Sequence, residues 1–169
     1  MDGDAAPGPQ ELQEQADQLK ERVYVTFTAL AVVLALRGHE VEAARALSLL
    51  GITVLGTVLA VFTADVVSHI AVHAQVPHRA ALRHMVRVSF GALGAVALPF
   101  GFLLLAALEV WEVAVALRAS SIALVAALVA IGYLAARRAR LSAVQRAVVL
   151  LAEFLLGVAV IGLELLAHA

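Results

Sequence analysis

The sequence predicts an all-α fold, a polytopic transmembrane helical bundle of about five spans. Three observations predict it. Hydrophobic residues make up 63% of the 169 residues and charged residues 15%, against roughly 45–50% and 25% in soluble domains. Long uncharged apolar runs alternate with short polar joints. Lys and Arg collect on every second joint, as in a chain threaded back and forth through a bilayer with positive charge held inside. A soluble domain of this length could not bury so much apolar side chain, because small domains keep a large surface fraction. Hydrocarbon solvates that surface instead.

The acidic tail comes first. Residues 1–22 carry Asp2, Asp4, Glu11, Glu14, Asp17 and Glu21 against Lys20 and Arg22. A secretory leader would be cationic here, so the first apolar run is expected to act as an uncleaved anchor. Residues 1–10, with two Pro and two Gly, read as disordered. Glu11–Arg22 reads as a solvated helical extension in the cytoplasm.

The first span is expected at 23–38. Its apolar core, Val23–Leu36, has 14 residues, about 21 Å of helix. That is short for a hydrocarbon layer of about 30 Å. Arg22 and Arg37 can snorkel to recover length, and Gly38 stands where a helix-ending glycine is expected. The second span, 44–66, contains an uncharged run from Ala46 to Ala64 and extends towards Pro77, a natural stop. In His78–Arg87, Arg79, Arg83 and Arg87 recur every fourth residue. They suit either a basic helix on anionic lipid or a solvated loop.

The third span, 88–108, is uncharged from Val88 to Leu108 and carries Pro99 among Gly91, Gly94 and Gly101. A kink there is tolerable if neighbours satisfy the freed carbonyl. Trp111 is its interfacial belt residue, and Tyr133 that of the fourth span, 115–136. The fifth span, 147–167, is interrupted only by Glu153 and Glu164. Gly51, Gly56, Gly91, Gly94, Gly157 and Gly162 are expected to let helix backbones approach closely.

Orientation follows from charge. With five spans, one side holds Lys20, Arg22, Arg79, Arg83, Arg87, Arg137, Arg138, Arg140 and Arg146, nine in all, and the other only Arg37, Arg45 and Arg118. That predicts a cytoplasmic N-terminus and an external C-terminus in a plasma membrane.

Ionisable groups at membrane depth are expensive and so mark candidate sites. Asp65, His69 and His73 recur at i, i+4 and i+8 and share a broad helix face. They read as polar residues at the cytoplasmic interface, as a proton or cation relay, or as part of a metal site. Three ligands on one helix cannot close such a site, so another helix would have to contribute, and Glu153 is the obvious donor. It lies about 9 Å inside its span. Glu164 and Arg118 have depths that permit a structural ion pair between spans four and five.

Cysteine is absent, which excludes disulfides, thiolate nucleophiles and Cys-ligated zinc. A net charge of −1 suggests no nucleic-acid partner. No phosphate-binding glycine loop, HExxH, CxxC or GxSxG motif occurs. The chain is therefore expected to be neither an enzyme nor a holder of a cofactor.

The acidic tail, the Glu21-Arg22-Val23-Tyr24 opening of the first run and the Ala64-Asp65 close of the second, with His downstream, carry a resemblance. The layout resembles small polytopic integral membrane proteins of bacterial, actinomycete type. The Arg-over-Lys and Ala/Val/Leu bias points the same way. The resemblance implies the fold and no activity, so no functional residue is transferred. Two functions are expected. One is an accessory or interaction module, alone as a homo-oligomer or with a membrane-protein partner. The other is a small proton- or cation-coupled transporter or channel using Asp65, His69, His73 and Glu153.

Overall fold

The computed structural model describes residues 8–138 together with positions 142, 144, 145, 147, 148, 151, 152 and 155. The elements among the described residues are α1 Pro9–Arg37, α2 Ala43–His73, α3 Arg79–Gly91, the 3₁₀ segment Ala92–Val96, α4 Ala97–Ala107 and α5 Val113–Arg138. No strand occurs among the described residues.

The third rod runs from Arg79 through the 3₁₀ segment to Ala107, and Pro99 explains its break. Proline lacks an N–H, and its ring crowds the carbonyl four residues back, here Ala95. The regular helix resumes at Ala97, which places Pro99 in the first turn of α4, where its missing donor costs nothing. The basic segment is helical, as one of the two readings expected. Arg79, Arg83 and Arg87 form the first turns of the rod that becomes the third apolar stretch.

The rods alternate in direction. The C-terminal half of α2 and the start of α3 line one cavity with the N-terminal part of α1. Leu134 and Ala135, late in α5, meet Leu19 and Arg22. At the opposite end Arg37 of α1 lies beside Leu117 and Arg118, early in α5. The α1–α2 joint is tight, with Gly38 and His39 donating backbone N–H bonds to Ala35 and Leu36 at 3.3 Å each. Gly38 does not take the left-handed conformation expected of a terminating glycine, since no glycine has positive φ among the described residues. The α2 terminus uses Ala74 for that purpose, at φ 51°.

The core joins all four rods. Leu30 of α1, Leu50 of α2, Leu103 of α4 and Leu124 of α5 are each at most 1% exposed and belong to one apolar cluster. Outside it, Ile52, Leu98 and Ile122 are 61–71% exposed, far more large apolar surface than a water-soluble monomer presents. Hydroxyls on the spans bond back to their own helices: Thr57 to Thr53 and Thr63 to Leu59, at 2.9 and 2.8 Å. Side chains without water satisfy themselves this way.

Among the described residues, three rods are long and apolar enough to cross a membrane: Ala43–His73, Arg79–Ala107 and Val113–Ala135. Only 22–33% of their apolar windows is buried inside the protein, so the remainder is available to lipid. Span 23–38 has a different character. It is the second half of α1, whose Val25, Ala29, Leu30 and Val33 are buried beneath the other rods. Lys20, Glu21 and Arg22 at one end and Arg37 at the other leave its apolar run too short to count as a fourth span. The last expected span, 147–167, lies largely outside the described residues.

The glycine expectation fails at most positions that can be checked. An added Cβ at Gly56, Gly91 or Gly94 would meet open space, and only Gly51 has a neighbour, the Phe100 ring at 3.6 Å. The seams are instead filled by Val, Leu and Ala.

Candidate functional site

The stripe that α1 turns inward ends on a carboxyl group. Val33, Ala29 and Val25 recur every four residues, and one step further back is Glu21, 1% exposed. The last turns of the tail helix are therefore packed into the bundle rather than solvated as expected. Neither carboxyl oxygen of Glu21 meets a partner in hydrogen-bond geometry, and neither does the buried hydroxyl of Ser89. Asp65 of α2 and Ser89 of α3 are nonetheless its polar neighbours. Glu21 precedes the apolar run of α1, and its pKa is pushed upward. Burial is the first cause and the adjacent Asp65 the second, while Ser89 and Lys20 oppose them.

Asp65 connects this acid to water. It is half-buried and lines a cavity of about 480 Å³ that includes Asp17 and Lys20 of α1, Ser68, His69 and His73 of α2, and His84 of α3. The i, i+4, i+8 reading of Asp65, His69 and His73 on one face therefore matches their placement. The two imidazoles stack with centroids 4.3 Å apart and planes inclined at 23°. His73 Nδ1 lies 3.2 Å from the His69 carbonyl, a bond that requires a proton on Nδ1 and leaves Nε2 free. Lys20 and Asp17 form an ion pair of 3.3 Å at the rim.

Among the described residues no set of three or more His, Asp or Glu side chains is disposed to hold a metal ion. Burial of Glu21, with the Asp65 carboxyl beside it, disfavours ionisation of the Glu21 carboxyl. His69 and His73 line the same cavity as Asp65.

Glu153 and Glu164 lie outside the described residues, and so do the contribution of Glu153 to this site and the Arg118–Glu164 pair. Glu21 and Ser89 escaped the sequence reading. Glu21 stands within a strongly charged segment and read as one tail acid among six. The signal that finds it is the four-residue stripe of α1 carried one turn beyond the apolar run.

Comparison with protein-family models, curated proteins and solved structures finds no match for this chain.

Proposed function

We propose that this multi-pass membrane protein takes up and releases protons, or a small cation in their place, at the Glu21–Asp65 pair, with His69 and His73 as the route to water. One observation carries the reading: a fully buried carboxyl without a hydrogen-bond partner stands beside a second carboxyl from another helix. An unpaired buried acid is costly and is retained where its protonation does something. The end that bears this site also bears Lys20, Arg22, Arg79, Arg83, Arg87 and Arg137. By the positive-inside rule it faces the cytoplasm of a bacterial cell, with the N-terminus inside. The three arginines of α3 add an attraction for anionic headgroups on that side.

A second reading keeps the site and drops the transport. The Leu30, Leu50, Leu103 and Leu124 layer fills the bundle beyond the carboxyl pair. That closure favours a pH-responsive accessory module, in which protonation alters packing against a partner or a second copy.

The test uses purified protein in proteoliposomes under an imposed pH gradient. Proton flux that is lost in Glu21→Gln and Asp65→Asn supports transport. A carboxylic-acid infrared band that titrates in the wild type and disappears in Glu21→Gln, without flux, supports the accessory reading. A wild type with neither flux nor such a band overturns both.

A further inference from the structure

The opposite end of the bundle holds a second polar cavity, built from charges of both signs. A cleft of about 510 Å³ is lined by Arg37 at the end of α1, Glu40 and Glu42 in the α1–α2 joint, and Arg118 in α5. Arg37 is held in place: its Nη1 donates to Ser121 Oγ at 3.4 Å, and that hydroxyl donates in turn to the Leu117 carbonyl at 2.8 Å. One guanidinium hydrogen is used in this way, and the others remain available. Among the described residues, Arg37, Arg118, Glu40 and Glu42 form no ion pair with one another or with any other group. Two cations and two anions thus line one cleft without neutralising each other.

The depth is informative. Arg118 and Arg137 lie 19 residues apart on α5 (137 − 118), about 28 Å along a helix. That nearly equals the hydrocarbon thickness of about 30 Å, so Arg118 sits where lipid headgroups begin. The first turns of both α2 and α5 contain no acidic residue, and Val113 and Ala114 of α5 line the cleft. Glu42 caps the start of α2 and Glu112 immediately precedes α5, so the positive charge of the cleft comes from the two arginines.

We infer that this cleft binds the headgroup of a zwitterionic phospholipid, a phosphodiester bearing a primary ammonium. Arg37 and Arg118 take the phosphate, and Glu40 and Glu42 take the ammonium. A purely anionic headgroup would leave the two glutamates facing negative charge. A quaternary ammonium has no N–H to donate to them, whereas a primary ammonium makes charge-assisted bonds with carboxylates.

Native mass spectrometry of the full-length protein in detergent tests this with added phosphatidylethanolamine, phosphatidylcholine or phosphatidylglycerol. The wild type is expected to retain phosphatidylethanolamine about tenfold better than the other two, a difference of ~1.4 kcal/mol. Arg118→Gln and Arg37→Gln should each abolish that preference. The double change Glu40→Gln with Glu42→Gln removes two exposed charges and should shift the preference to phosphatidylglycerol. Circular dichroism on each variant establishes that the bundle remains folded. Equal retention of all three lipids by the wild type overturns the inference, as does an unchanged preference in folded Arg118→Gln and Arg37→Gln. Soluble phosphoethanolamine that binds where no lipid is retained overturns the lipid assignment.

Discussion

Glu21 of α1 is buried against Asp65 of α2, so at the open end of the α1–α2 hairpin a fully buried carboxyl stands beside a half-buried one. The raised pKa of Glu21 has a direct consequence for stability. In the unfolded chain this acid ionises near its ordinary 4.5, and in the folded bundle only near about 7. Between those values the folded state binds more protons than the unfolded one, so this group makes stability fall as pH rises. Glu21→Gln keeps the shape and removes the titration. The variant should therefore melt higher than wild type at about pH 8 and equal to it at about pH 4. A gain of about 1 kcal/mol would raise Tm by about 2–4 °C in a chain of this size. Thermal melts in detergent across that range decide it. A variant that melts lower than wild type at the alkaline end would mean Glu21 makes a favourable bond as the anion.

Core and lipid-facing leucine and isoleucine positions on α5 should respond in opposite ways. Leu124 is fully buried between rods, whereas Ile122 is 71% exposed. Leu124→Ala leaves a cavity and should cost about 2–5 kcal/mol. Ile122→Ala exchanges one lipid contact for another and should lie within about 0.5 kcal/mol of wild type. Unfolding in mixed micelles with rising denaturing detergent measures both. Comparable losses at the two sites would place Ile122 in an interface.

How much of this was legible in the sequence differs from element to element. The apolar stretches expected at 44–66, 88–108 and 115–136 were legible, because uncharged runs near 20 residues have one physical solution, whereas the continuation of the third rod back to Arg79 was not. Asp65, His69 and His73 on one face were legible for a similar reason, since helical periodicity within one element fixes their relative directions. The central place of α1 was not. A 14-residue run looks like a weak span, and only the packing of the longer rods shows that its apolar side chains fill the core. Glu21 was hidden by its neighbours, because composition averages over a segment while burial acts on single residues. The glycines misled because small residues permit close approach without enforcing it: Gly56, Gly91 and Gly94 have room for a side chain.

That last difference is measurable. Gly56→Leu fills open space facing outward and should be tolerated, with a stability change under about 0.5 kcal/mol. At Gly51 a Cβ would already lie 3.6 Å from the Phe100 ring. Alanine fits there at ordinary contact distance, whereas Gly51→Leu must push the ring aside, at about 1–3 kcal/mol. Combining Gly51→Leu with Phe100→Ala should recover part of the loss. An additive double variant would show that the two side chains do not compete for the same space.

The threading of α1 and α2 can be read chemically because the chain contains no cysteine. Glu40 lies in the α1–α2 joint and Val76, 82% exposed, in the α2–α3 joint, so α2 separates them. Its 31 residues span about 46 Å, more than a hydrocarbon layer of about 30 Å. Glu40→Cys and Val76→Cys should therefore react with a membrane-impermeant maleimide from opposite sides. With the basic end inside, Glu40→Cys should label in intact cells and Val76→Cys only after permeabilisation. The reverse pattern would keep α2 as a span and invert the protein. Labelling of both from one side would remove α2 from the membrane, and with it the carboxyl pair from any position between lipid and water.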